Sequence, residues 1–118
     1  MTGLPEQIKA LSERASELRD AAELRSEKLS LSDTALSLEH LLDAVDALWS
    51  VLGSLNTRVE TIREREAWVR ARTEKTALDR LDVAEVNLGY GHEGLMVARH
   101  LIELGRAELV TVEREGWE

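Results

Sequence analysis

One stripe of apolar side chains constrains the fold of this chain more than any other feature of its sequence. From residue 38 to residue 62, apolar residues recur every three or four positions and fill eight successive a and d positions of a heptad repeat. Side chains at this spacing share one face of an α-helix, so the pattern predicts a long amphipathic helix. The stripe consists of Leu38, Leu41, Val45, Leu48, Leu52, Leu55, Val59 and Ile62.

The width of the stripe predicts how many helices surround it. Leu42, Ala44, Trp49 and Val51 extend it into the flanking positions of the heptad. A two-stranded coiled coil needs only the a and d seam, so this breadth favours a bundle of three or more helices. We therefore expect the stripe to pack against the N-terminal helix and to form the interface with further copies of the same chain.

Gly53 leaves two interpretations of this helix. A glycine can end a helix, and the Ser, Asn and Thr residues at positions 54, 56 and 57 are suited to begin another. The heptad register nevertheless passes through Gly53 without a slip. We therefore expect one continuous helix from Thr34 to Arg72, with a break into two antiparallel helices as the alternative.

An amphipathic N-terminal helix is predicted over residues 5–29. Pro5 suits the start of a helix because its missing N–H would be unpaired there in any case. The apolar residues Ile8, Leu11, Ala15, Leu18 and Ala22 then recur at helical spacing. The segment Ser30-Leu31-Ser32-Asp33 predicts a turn and the N-cap of the second helix.

A glycine motif stands out in the C-terminal third of the chain. Gly89, Gly91 and Gly94 have the Gly-x-Gly-x-x-Gly spacing, between an apolar stretch at 83–88 and a helical pattern at 95–104. Leu109 to Val112 alternates like a short strand, and Glu113 follows the last glycine by 19 residues. Residues 83–113 thus resemble the first β-α-β unit of a Rossmann-type domain that binds NAD or S-adenosylmethionine.

That resemblance implies a cofactor site in which the three glycines approach a pyrophosphate and Glu113 binds a ribose. The favoured interpretation of this segment is instead a helix that ends near Leu88, a glycine loop, and another helix from Glu93. We therefore predict a mainly α protein with long amphipathic helices in a bundle or coiled coil, with a small C-terminal β-α-β element at 83–113 as the alternative for that segment. The chain is expected to be a single domain over 1–118, with a helical part at 1–82 and the glycine segment at 83–118.

Other chemistry is poorly represented in the sequence. There is no cysteine, which excludes disulfides, thiolate metal sites and cysteine nucleophiles. The three histidines, His40, His92 and His100, lack the repeated Glu-x-x-His pattern of a dimetal bundle, and no Gly-x-Ser-x-Gly is present. We expect no metal, no cofactor and no catalytic residues in the main interpretation, so the protein is predicted not to be an enzyme.

Charge argues against nucleic acid as a partner. The net charge is −8, and the mildly basic segment 58–80 is interleaved with glutamates that would repel phosphate. The helix bearing Arg99 and His100 and the alternating tail after it resemble the recognition helix and wing of winged-helix regulators. Because its surroundings are acidic, DNA binding is the least favoured of the functions considered.

The remaining expectation is a protein that acts by binding other proteins. The N-terminus lacks the features of a secretory signal, and no apolar run is long enough to span a bilayer, which predicts a cytoplasmic protein or a part of a larger assembly. We expect a homo-oligomeric helical scaffold, adaptor or assembly component, such as one in a phage virion. Its partners would be copies of itself and another protein, with Trp68 and Trp117 as further contacts.

Overall fold

The computed structural model describes residues 3–65 and 75–116, and nearly all of these residues are helical. Helix α1 spans Leu4–Arg25, α2 spans Leu31–Arg65 and α3 spans Lys75–Arg114. A single 3₁₀ turn, Ser26–Lys28, joins α1 to the start of α2. No strand occurs in these two ranges, so the prediction of a mainly α fold is confirmed and the small β-α-β element is wrong.

The connection between α1 and α2 follows the predicted capping, although α1 is shorter than the 5–29 expected. The chain tightens into the 3₁₀ turn after Arg25, and Leu29 is extended. The Ser30 hydroxyl oxygen then accepts a hydrogen bond from the Asp33 amide at 3.0 Å, which satisfies one of the unpaired amides of the first turn of α2. Ser30 is therefore the N-cap of α2.

Helix α2 is continuous through Gly53, as the unbroken heptad register predicts. The polar residues beyond the glycine do not begin a new helix, because their hydroxyls bond back to the preceding turn. Ser54 donates to the Ser50 carbonyl at 3.1 Å, and Thr57 donates to the Gly53 carbonyl at 3.0 Å. The prediction extended this helix to Arg72, but the part of that prediction after Arg65 lies outside the described residues.

Helix α3 overturns the predictions for the C-terminal third. Both proposed strands, 83–88 and 109–112, are helical, and so is the proposed glycine loop at 89–94. The physical reason is a second heptad pattern, in which half-buried apolar residues recur every seven positions against α2. They are Leu81, Leu88, Leu95, Ile102 and Leu109. Burial of this face outweighs the low helix propensity of the glycines and β-branched residues. The strand expected as a wing is absent for the same reason.

Helix α3 ends where a glycine permits it. Gly116 has a φ of 72°, in the left-handed region that side chains disfavour. Its amide donates to the Glu113 carbonyl at 3.1 Å, and the Glu115 amide donates to the Thr111 carbonyl at the same distance. This arrangement is typical of a helix C-terminus closed by glycine.

The core is a single antiparallel seam between α2 and α3. On α2 the seam uses every third or fourth residue from Ala35 to Arg63, and on α3 it does the same from Leu78 to Leu109. Only Ala35 and Leu42 are buried among the described residues, each 6% exposed. The molecule measures 66 × 29 × 22 Å, so the helices form an elongated body with little interior.

The seam gives a direct stability prediction. Replacing Leu42 with alanine (Leu42→Ala) should lower the free energy of unfolding by about 2–5 kcal/mol, because it leaves a cavity at the most buried large side chain. The matched control is Leu24→Ala, whose side chain is 81% exposed and which should change stability by less than about 0.5 kcal/mol. Urea unfolding followed by circular dichroism measures both, and equal effects of the two variants would contradict the packing described.

Candidate functional site

Polar residues repeat every seven positions along the α2–α3 seam and fix its register. On α3 these are Glu85, His92, Arg99 and Arg106, and all four are half-buried. Arg106 lies 3.6 Å from Glu39, and Arg99 pairs with Asp46. Because the helices are antiparallel, a partner seven residues earlier on α3 pairs with a partner seven residues later on α2. A slip of one helical turn would separate these ion pairs, so they select one alignment of the two helices.

We call this series of cross-helix contacts, spaced by seven residues, the polar ladder. Its next contact joins His92 of α3 to Gly53 of α2. A Cβ atom on Gly53 would lie 3.1 Å from Nε2 of His92, so the imidazole occupies the space that a side chain would otherwise fill. The ring also stacks on Trp49, with centroids 4.3 Å apart and planes inclined by 23°. Gly53 therefore serves close approach of α3 rather than a break in α2.

Ion pairs close the seam near the C-terminal end of α2. Arg63 contacts Asp82 at 2.7 Å and Glu85 at 3.0 Å across the two helices, and Glu64 at 3.1 Å. Burial alone would lower the pKa of Arg63, but these three carboxylates together raise it above its usual value. The Arg99 guanidinium donates hydrogen bonds to the carboxylates of Asp46 and Glu103, and these bonds likewise raise its pKa. Both guanidinium groups are therefore held in their charged form.

The predicted stripe on α2 is divided between two environments. Four of its residues, Leu38, Val45, Leu52 and Val59, are half-buried in the seam, and a Cβ on Gly91 would lie 3.7 Å from Leu52. Ile62, the last residue of the stripe, is half-buried next to the seam position of Arg63. Leu41, Leu48 and Leu55 remain exposed, at 43%, 39% and 38%. Leu42, Trp49 and Asn56 take the seam positions that the sequence pattern gave to those three leucines. At every second position, the residue that faces α3 is therefore the one that follows the predicted residue in the sequence.

The exposed half of the stripe borders an apolar groove between α1 and α2, which we call the α1–α2 groove. Its volume is about 650 Å³, and its walls include Leu11 and Leu18 of α1 together with Leu41 and Leu48 of α2. Leu11 is 49% exposed and Leu18 is 63% exposed. Helix α1 therefore lies beside α2 without closing on it, and apolar side chains from both helices line the open groove.

The other predicted site residues fall into different places. Gly89, Gly91 and Gly94 lie inside α3, and Glu113 is in its last turn. A helix through all three glycines lacks the strand, tight turn and helix N-terminus on which pyrophosphate binding depends. Trp68 and Trp117 lie outside the described residues.

The described residues contain neither a candidate metal-binding cluster nor a candidate membrane-spanning helix. In those residues no group of three or more histidine or acidic side chains is placed to hold a metal ion. The helices there do not combine the length and apolar character needed to cross a bilayer.

The sequence contained a signal for the seam that apolar periodicity alone could not reveal. The d positions of α3 are Leu or Ile every seven residues from 81 to 109, but the a positions from 85 to 106 are all charged or histidine. Acidic residues at positions 39 and 46 of α2 repeat at the same spacing as Arg99 and Arg106. Matching these two polar periodicities would have predicted the antiparallel pair and its register.

Comparison with other proteins adds no assignment to this geometry: no protein family, curated protein or solved structure matches the chain.

The close contact at Gly53 can be tested with a pair of glycine substitutions. Gly53→Leu should lower stability by about 1–3 kcal/mol, because the side chain displaces His92 from Trp49 and forces the helices apart. Gly89→Leu makes the same chemical change in α3, where a Cβ meets nothing within 4 Å, and the better helix propensity of leucine should leave stability unchanged or raised. Urea unfolding of the two variants gives the comparison, and a Gly53→Leu protein as stable as the Gly89→Leu protein would exclude the contact.

Proposed function

We propose that this protein is a non-enzymatic structural or interaction protein, a helical scaffold or adaptor that works as a homo-oligomer within a larger assembly. A component of a phage virion is one example of such a role. The observation that carries the proposal is that the helices have more apolar surface than one copy of the chain buries. The α1–α2 groove remains open and its walls are helical, so it is a surface available for docking.

The burial of individual residues supports the proposal. Two residues are buried in the described part of the chain, whereas eighteen large apolar side chains are exposed. Scattered exposed apolar residues are ordinary on protein surfaces, but continuous stripes mark interaction sites. Here Leu41 and Leu48 of α2 and the apolar side of α1 line one groove, which gives such a continuous surface.

The total surface area supports the same proposal. The chain exposes 9297 Å², whereas a compact monomer of 13.2 kDa exposes about 6400 Å². The radius of gyration is 19.7 Å, compared with about 13.5 Å for a compact domain of this length. A standard protein interface removes about 800 Å² from each partner. The excess is therefore large enough for more than one interface of that size on each chain.

The alternative from the sequence, a nucleotide- or cofactor-binding protein, depended on a strand and a loop around the glycine motif. The residues that would have formed them are helical, and no observation on the described residues favours that function. The same holds for the winged-helix alternative, whose wing would have been the tail that is now the end of α3.

The oligomeric state tests the proposal directly. Sedimentation or light scattering should give a mass that is a multiple of 13.2 kDa. Leu48→Glu, which places a charge in the α1–α2 groove, should reduce that mass while the helix content is retained, because Leu48 is exposed in the single chain. Ala47→Glu is the matched control on the same turn and should leave the mass unchanged. A chain that sediments as a monomer at every concentration would refute the oligomer.

Ligand binding separates the proposal from the cofactor alternative. We expect no change in the melting temperature when NAD, S-adenosylmethionine or ATP is added, because the glycine motif lies within a helix. A ligand that binds only the folded state stabilises it in proportion to the logarithm of its concentration. A concentration-dependent rise with any of the three would therefore restore the alternative function. Differential scanning fluorimetry is sufficient for this measurement.

A further inference from the structure

Helix α3 carries a second apolar face that packs on nothing in this chain. Val83, Val86, Tyr90, Val97, Leu101 and Leu104 are 52–67% exposed. We call these residues, together with Gly94 between Tyr90 and Val97, the outer row of α3. Each lies two positions from a seam residue, about 200° around the helix, and so points away from α2.

The spacing of the outer row matches a helix partner. Its seven members succeed one another at steps of three or four residues, with the mean of 3.5 that packs one helix along another. No charged residue falls within the row from Val83 to Leu104. A continuous uncharged stripe of this length exposed to water carries the cost of an unburied core face. The row is therefore built to be covered by a helix of similar length.

Glycines in α3 indicate how close that partner comes. Gly89, Gly94 and Gly105 lie in the helix interior, where alanine is favoured over glycine, yet a Cβ at any of them would meet nothing within 4 Å. The close contact with His92 accounts for Gly53, whereas a Cβ on Gly91 would make only an ordinary contact with Leu52 at 3.7 Å. Gly94 is the one unexplained glycine that lies in the outer row itself. Close approach of a second backbone at this position accounts for it.

The outer row is also complementary to the outer row of a second, antiparallel copy of α3. If two copies of α3 lie antiparallel with Gly94 near the twofold axis, Val83 comes opposite Leu104, and Val86 comes opposite Leu101. Tyr90 comes opposite Val97 and beside Gly94 of the other copy. The bulkiest side chain of the row thus lies within one helical turn of the position that has none. Such pairing of one patch with itself is what a twofold dimer requires.

We propose that α3 is a dimerisation helix, whose outer row packs antiparallel on the outer row of a second copy with Gly94 at the centre. This rests on the homo-oligomer proposed above and specifies one of its interfaces. A second copy is the occupant because the unburied area of the chain exceeds what a stable dimer needs, and because the row pairs with its own reverse without a charged residue between its ends. Asp79 and Glu108 flank the ends of the row. Glu93 borders its centre on one side, where it comes opposite Gly94 of the other copy.

Disulfide trapping tests both the surface and the direction of pairing. The chain has no cysteine, so each introduced cysteine reports on one position alone. Val86→Cys and Leu101→Cys chains, mixed and oxidised, should form a covalent dimer with each other. Neither variant should cross-link alone, because its own copies would be about 22 Å apart along the antiparallel pair. Self-cross-linking of Val86→Cys would show parallel pairing and overturn the proposal.

A glycine pair gives a second test that does not depend on oxidation. Gly94→Ala should weaken dimerisation about tenfold or more, because the added methyl group separates the two backbones at the axis. Gly89→Ala is the matched control in the same helix and lies off the outer row, so it should leave the dissociation constant unchanged. Alanine favours the helix equally at both sites, so any difference reports on the interface. Equal dissociation constants for the two variants would overturn the proposal.

The failure of this inference is distinguishable from failure of the proposed function. If the chain is oligomeric but the mixed cysteine variants do not cross-link, the interface lies elsewhere and the α3 proposal is wrong while the oligomer stands. If the unmodified chain is monomeric in sedimentation, both proposals fall. Cross-linking of the mixed pair alone, together with a weakened Gly94→Ala dimer, supports both.

Discussion

The structure depends on one seam between two helices. Apolar side chains at most of the seam positions of α2 meet the Leu and Ile side chains that recur every seven residues on α3. Burial of those side chains supplies the main stabilisation that the described residues offer. Polar residues that recur every seven positions, such as Arg99 against Asp46 and His92 against Gly53, align the two helices without adding much burial. Apolar contact therefore holds the helices together, and the polar ladder determines which of several similar alignments they adopt.

A single seam leaves each helix only half covered. The stripe on α2 is wide enough for two neighbours, but α3 covers one half and the α1–α2 groove lies open beside the other. Helix α3 is apolar on two opposite sides, of which only one meets α2. A fold built this way buries little surface in one copy, and the oligomer proposed above would cover part of what remains exposed.

The sequence predicted part of this structure for identifiable reasons. The helix through Gly53 was predictable because its heptad register does not slip, and the Ser30 cap was predictable because a serine precedes the apolar pattern. Helix α3 was mispredicted because glycines and β-branched residues carry strong local signals, while its seam positions alternate between apolar and charged residues. Local propensity favoured a strand and a loop at 83–94, and packing along α2 outweighed it. The α1–α2 groove could not be predicted at all, since it depends on how far α1 stands from α2.

The central claim is that burial between copies completes the fold, so that folding and assembly are one equilibrium. The most direct test is the dependence of the thermal unfolding midpoint on protein concentration. If partner chains stabilise the native state, the midpoint should rise by several degrees over about a hundredfold increase in concentration. A midpoint that stays constant across that range would show that one copy is stable by itself, and would contradict this account.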